Sequence, residues 1–174
     1  MKTIAIIIAI AVLALLAFAA TRSDNFRVER QINIKASPDR IFALISDFHR
    51  WSEWSPWEKI DPTMKRSFSG TANGEGAVYA WEGSGKAGAG RMEILSAPPS
   101  TKVQIKLDFI KPFEGHNTAE FTLNPLGTDT QVSWVMYGPA PFISKLMGIF
   151  FNMDKMIGAD FETGLINLKA AAEK

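Results

Sequence analysis

The stretch that most limits what this chain can fold into is its last one. Past Pro139 and Pro141, apolar residues recur at Phe142, Leu146, Ile149, Phe150, Met153, Ile157, Phe161, Leu165 and Leu168. That spacing is close to 3.6 residues and predicts an amphipathic helix over Pro141–Lys174, as one piece or as two nearly in line. A proline in the first turn loses no helical hydrogen bond, so Pro141 makes a natural start. At ~1.5 Å per residue the helix spans roughly 45–50 Å. An apolar stripe of that length needs a large apolar surface to bury it.

The middle of the chain can supply that surface. Phe26, Val28, Arg30, Ile32 and Ile34 alternate with polar neighbours over Phe26–Lys35, the period of a half-buried strand, with Arg30 interrupting the apolar side. Ser37-Pro38 then predicts a helix start, with serine as the cap and proline at the first helical position; Asp47 can cap another turn. Short β segments follow at Lys65–Ser69, Ala77–Glu82, Gly88–Ser96, 103–109, 117–123 and Thr130–Gly138. Asn73-Gly74, Gly83-Ser84-Gly85, Ala97-Pro98-Pro99-Ser100, Pro112–Gly115 and Pro125–Asp129 punctuate them. Val103, Ile105, Leu107 and Phe109 give the cleanest alternation. Consecutive strands joined by short turns form an antiparallel meander with one apolar face, and a closing helix covers it. The expected fold is α+β: a helix-grip of about seven curved antiparallel strands wrapped round the long C-terminal helix.

The N-terminus stands apart. Lys2 precedes an uncharged apolar run, Ile4–Ala20, which Arg22 ends. It is apolar on every face, which argues against a core helix. Its length is at the short end for crossing a bilayer core of ~30 Å, yet it exceeds the ~7–15 residues of a usual signal core. A single-pass anchor is therefore favoured. The alternative is a signal cleaved near Ala17-Phe18-Ala19, leaving a secreted or periplasmic protein. Residues 1–25 are read as anchor (or signal) plus linker, and 26–174 as one domain. Basic residues on both sides of the run leave the membrane orientation open.

Composition narrows the function classes. The 19 basic and 18 acidic residues leave a formal charge of +1 with no basic block, which argues against nucleic acid. With no cysteine and only His49 and His116, neither a metal site, a cofactor nor a nucleophilic triad is expected. Gly83–Gly88 matches G-x-G-x-x-G in form but lies between two strands, so it reads as a hairpin turn. Asp154 and Asp160 point different ways round a helix, and Asp160 and Glu162 do not face each other, so these carboxylates read as a solvated face.

Several short runs carry a resemblance: Val28-Glu29-Arg30, Ile34-Lys35-Ala36-Ser37-Pro38, Ile45-Ser46-Asp47, Trp51-Ser52-Glu53-Trp54-Ser55-Pro56-Trp57, Asp61-Pro62, Gly74-x-Gly76, Trp81-Glu82-Gly83 and Ile157-Gly158-x-Asp160-Phe161-Glu162-x-Gly164-Leu165. With the order strand, two short helices, six strands and long helix, the chain resembles the START/Bet v 1-like (SRPBCC) superfamily, in its polyketide cyclase/dehydratase-like branch, from Phe26 to about Ala172. The resemblance implies a helix-grip cavity for a hydrophobic ligand. It brings over no catalytic residues.

The residues expected to line such a cavity are Trp54, Trp57, Phe68, Tyr79, Trp81, Phe109, Asn117, Phe121 and Trp134, with Phe150, Met153, Ile157 and Phe161 from the helix. The Trp51/Trp54/Trp57 cluster admits three roles: a core plug, a gate at the pocket mouth, or a foot in the membrane interface. Three functions remain open at this point. The first is a membrane-tethered binder of a hydrophobic small molecule or lipid. The second is a cyclase/dehydratase-type enzyme, for which Asp154, Glu82, Tyr79 and Tyr137 are the available titratable groups. The third is an interaction module with a solid core. The sequence leaves the oligomeric state undecided.

Overall fold

The computed structural model describes all residues, Met1–Lys174. Helix α1 (Lys2–Ala20) is followed by β1 (Asn25–Ile34), α2 (Pro38–Ile45) and two 3₁₀ turns, Phe48–Glu53 and Pro56–Lys59. Then come β2 (Lys65–Gly70), β3 (Ala77–Glu82), β4 (Ala89–Ser96), β5 (Lys102–Lys111), β6 (Gly115–Leu126), β7 (Asp129–Pro139), α3 (Phe142–Phe150) and α4 (Met153–Ala172). The seven strands form one antiparallel sheet in the order β1-β7-β6-β5-β4-β3-β2. The meander runs from β2 to β7 and β1 closes onto β7, so the α+β helix-grip expected from the strand count is present.

Register shows which side chains share the inner face. Leu107 lies opposite Met92 and Asn117, and Tyr79 opposite Phe68 and Met92. Two residues deeper, Ile94, Ile105, Ala119, Met136 and Val28 form the next row across the sheet. Then Val103, Phe121, Trp134 and Arg30 follow. Most of these are buried in one continuous core shared with α2, the 3₁₀ turns and α4. The other face carries Gln104, Lys106, Glu120, Ser133 and Glu29, the polar half of the two-residue period.

Two local expectations need correction. Ser37 precedes α2 but its hydroxyl makes no capping hydrogen bond; Pro38 alone marks the start. More consequentially, the C-terminal stripe is broken. Phe151 is extended (φ −122°, ψ 127°), and the Asn152 side chain accepts from the Lys155 N–H at 2.9 Å, capping a new helix. Only α4 lies on the sheet, burying Phe161, Leu165 and Leu168. Helix α3 packs against α1 instead. It is held there by Lys145, which pairs with Asp24, and by the Ala140 N–H, which donates to the Asp24 carbonyl at 2.7 Å.

Candidate functional site

The site between sheet and α4 is built from the end of α2. The last carbonyls of a helix lack intrahelical partners. Here two are taken by indoles: Trp51 Nε1–H donates to the Ile45 carbonyl at 2.9 Å and Trp54 Nε1–H to the Leu44 carbonyl at 3.0 Å. These bonds turn both rings inward, so Trp51 and Trp54 are core plugs rather than gate or foot. Trp54 stands edge-on to Phe121 and Trp134. Trp134 is sandwiched between Phe121, with centroids 4.7 Å apart, and Phe161, 4.2 Å away and nearly parallel. The stack fits because residue 164 is glycine: a Cβ there would lie 2.7 Å from the Trp134 ring and 3.2 Å from Pro56. Trp134 is only 2 % exposed, and its Nε1–H has no hydrogen-bond partner.

Toward the other end of the inner face the packing opens. Trp81 lies across Gly90, where a Cβ would come within 2.4 Å of the ring. Its indole N–H donates to the Ala87 carbonyl at 3.0 Å, and its ring meets Phe109 edge-on at 6.1 Å. Asn117 follows on β6, on the face of Ala119 and Phe121 as the alternation requires. Trp57 stands perpendicular to Trp134 at 5.4 Å, and Ile157 on α4 packs at the margin of the core. Trp57, Trp81, Phe109, Asn117 and Ile157 are all half-buried. Trp81, Phe109 and Asn117 form the mouth of the grip, and Trp57 and Ile157 its margin beside Trp134 and Phe161; Trp54, Tyr79, Phe121, Trp134 and Phe161 form its floor.

Three expected lining residues lie at the edge of this arrangement or outside it. Phe68, on edge strand β2, packs on Tyr79 at 5.2 Å but also stacks on His49 at 4.2 Å and is partly open to solvent. Phe150 is 66 % exposed because α3 has left the sheet, and Met153, the first residue of α4, is 43 % exposed. Surface clefts of 360 Å³ beside Ala80, Glu82 and Ile110, and of 320 Å³ between α2 and Asn73, include no residue of α4.

Unlike the Trp134 N–H, the titratable groups near the site are engaged. Tyr79 O–H donates to Glu58 at 2.6 Å, and Glu58 also accepts from Arg66 Nε at 2.6 Å. Burial pushes the Tyr79 phenol well above its ordinary range, and the Glu58 carboxylate adds to the shift. Arg30, which interrupts the apolar side of β1, reaches α4 and bonds Asp154 at 3.1 Å and Glu162 at 2.7 Å. The Arg30 hydrogen bond holds the Asp154 carboxyl below its ordinary range. Asp154 and Glu162, eight residues apart, therefore share a partner that a search for carboxylate pairs overlooks. Glu58 and Arg66 were also missed, although Arg66 has the parity of Phe68 on β2 and could have been placed on the inner face.

The profile of the family described as "Polyketide cyclase / dehydrase and lipid transport" matches residues 25–173. The chain belongs to that family. No curated protein matches it. Among solved structures, the chain is similar to protein CV1439 from Chromobacterium violaceum, with 16 % identity and a TM-score of 0.59 over 87 % of this chain and 99 % of that one. It is similar to the major latex-like protein 151 of Panax ginseng, with 14 % identity and a TM-score of 0.60 over 87 % and 100 % of the two chains. It is also similar to the di-domain ARO/CYC StfQ of the steffimycin biosynthetic pathway, with 12 % identity and a TM-score of 0.62 over 86 % and 51 %. At such identities the likeness is one of fold. The residues matched by this family take in the sheet and the gripping helix, and α1 precedes them.

Proposed function

We propose that this family member is anchored in a membrane by α1 and binds a hydrophobic small molecule or lipid at the mouth of the helix grip. The observation that carries the reading is the half-buried group Trp81, Phe109 and Asn117 at the open end of the inner face, with Trp57 and Ile157 at its margin. It is an apolar inner-face surface that the chain leaves half-covered, with one amide beside it to orient a polar end. Aromatic walls with few polar groups suit a ligand recognised by area. Each CH₂ removed from water contributes ~0.8 kcal/mol, so a ten-carbon chain gains about 8 kcal/mol before the entropic costs of binding. The free Trp134 N–H behind Trp57 is a further donor that a ligand oxygen could satisfy. Helix α1, with 19 residues at ~1.5 Å each, reaches about 28 Å, close to a ~30 Å hydrocarbon core. It keeps the mouth near the phase in which such ligands dissolve.

Acid–base catalysis is the less supported reading. It needs a titratable group in the grip with a pKa brought toward neutrality. Tyr79 instead spends its proton on Glu58, and Asp154 is tied to Arg30 as a carboxylate.

The test is native mass spectrometry of the full chain extracted in mild detergent. An apolar adduct on the wild-type protein, lost in Phe109→Gln with an unchanged circular dichroism spectrum, is the expected result. A wild-type chain that carries no adduct from any of several membrane extracts overturns the ligand reading. The intact mass in the same spectra reports on α1: a mature start near Ala20 would identify a cleaved signal.

A further inference from the structure

The exposed face of α3 has no counterpart on the sheet side of the molecule. Ile143, Met147 and Phe150 lie at i, i+4 and i+7 and form one solvent-facing stripe; Phe142 before it in sequence, and Phe151, Met153 and Met156 after it, are also exposed. Lys145, Leu146 and Ile149 occupy the opposite, shielded side. Soluble surfaces seldom present so many contiguous large apolar groups without a partner.

The position of α3 identifies the partner. Along α1 every residue is exposed except Leu15 and Ala19, which lie four apart on one face. Helix α3 is the element that packs against α1. Leu15 is about 7–8 Å of helix length from the end of α1 at Ala20. If α1 spans the bilayer to its last residue, a helix seated on Leu15 and Ala19 is immersed to a similar depth. Little water is available at that boundary, and the α3 stripe is apolar. The Lys145–Asp24 pair and the Ala140–Asp24 hydrogen bond tie the start of α3 to the linker.

A second segment reaches the same level. Asn25 pairs with Pro139, and the register of β6 on β7 places the β5–β6 turn beyond that strand end. At its tip Phe113 is 72 % exposed, with Ile110 exposed beside it.

We infer that α3 lies in the interfacial layer of the bilayer with its Ile143/Met147/Phe150 face toward the acyl chains, and that Phe113 inserts beside it. The domain is thereby held with the mouth of its grip against the lipid surface rather than swinging on a tether. This rests on the anchoring half of the proposed function and is independent of whether a ligand binds. Exchange of an apolar ligand then need not pass through water.

The chain has no cysteine, so single-cysteine variants can carry an environment-sensitive fluorophore without background. Full-length Ile8→Cys, Phe113→Cys, Phe150→Cys and Lys174→Cys are labelled and reconstituted in phosphatidylcholine vesicles bearing nitroxides at headgroup or mid-chain depth. The labels at Phe150 and Phe113 are expected to shift to the blue and to be quenched several-fold more than that at Lys174, most strongly by headgroup-depth nitroxides. Ile8 is quenched best by mid-chain nitroxides. Quenching at Ile8 with none at Phe150 overturns the interfacial docking and leaves the anchor standing. No quenching at Ile8, with protein released by alkaline washing, removes the anchor and the docking with it. A Phe150 label that is shielded yet unquenched, and that cross-links to a second copy, assigns the stripe to self-association and equally overturns the inference.

Discussion

Trp54 and Trp134 make a matched pair. Both are buried, at 1 % and 2 % exposure, and both pack against Phe121. Their hydrogen-bond states differ: Trp54 Nε1–H donates to the Leu44 carbonyl, whereas Trp134 Nε1–H has no partner. Replacing either by phenylalanine removes the same atoms. The void of about 40 Å³ costs about 1 kcal/mol at ~24 cal/mol per Å³, with lost transfer energy added. Trp54→Phe also strips a partner from a carbonyl at the end of α2, for a further ~1–3 kcal/mol. Trp134→Phe instead removes a buried orphan donor and recovers an energy of that order. The common cavity cost cancels, and the two variants should differ by about 2–6 kcal/mol, with Trp134→Phe near neutral. For a chain of this size the difference corresponds to roughly 4–24 °C in Tm. Thermal melts of the full chain in one mild detergent, followed by far-ultraviolet circular dichroism, read it directly. The reasoning fails if Trp134→Phe melts as low as Trp54→Phe. A partner for the Trp134 N–H in the isolated protein would then be the simplest account.

Other perturbations test other joints of the fold. Gly164→Ala places a Cβ 2.7 Å from the Trp134 ring and should cost ~1–3 kcal/mol by overpacking, measured as a lower urea midpoint. Gly158→Ala places one 1.9 Å from Arg30 Nη2, so it should displace the guanidinium from Asp154 and Glu162. Its destabilisation should shrink in an Arg30→Leu background, and a purely additive double-mutant cycle would refute the coupling. Asp61 accepts from the Ser84 backbone N–H at 2.7 Å and from Thr63 O–H at 2.7 Å and N–H at 2.8 Å, tying the segment before β2 to the β3–β4 turn. The Ser84 amide and the Thr63 hydroxyl hold its carboxyl far below the ordinary range. The unfolded chain therefore takes up this proton first. The contribution is complete above the ordinary carboxyl pKa of ~3.9 and falls away as the pH drops further. Asp61→Asn should accordingly lower the urea midpoint at about pH 5 and flatten its decline toward about pH 3, and an unchanged acid slope would remove Asp61 from the account.

Much of the sheet was legible because a strand's two faces are recorded directly in its period of two. Val103 to Phe109 on β5 and Asn117 to Phe121 on β6 carry that alternation intact, so the residues sharing the inner face are legible there, whereas which of them stand opposite one another is set by register. What the period does not carry is distance along the inner face. Asn117 and Phe121 have the same parity, yet Phe121 is fully buried and Asn117 sits at the half-covered mouth. That difference is set by what α2 and the 3₁₀ turns place above each row. The placement depends in turn on the two indole bonds to the end of α2, which a linear pattern does not announce.

The same limit explains the C-terminal break. Hydrophobic periodicity reports that one face of a segment leaves water; it does not say what that face meets. Phe142, Leu146, Ile149 and Phe150 continue the spacing of Phe161, Leu165 and Leu168, and a single partner surface was the simplest inference. Yet α4 turns its stripe to the sheet, while α3, past an extended Phe151, lies on α1 and leaves Ile143, Met147 and Phe150 uncovered. One local signal distinguished the cases: Asn152 stands where a continuous helix would want a stronger helix former, three residues before the amide it caps. An asparagine inside an apolar stripe is a cheap interruption in propensity alone. As an N-cap it starts a second helix, and the chain is then free to send the two halves of one periodic pattern to different surroundings.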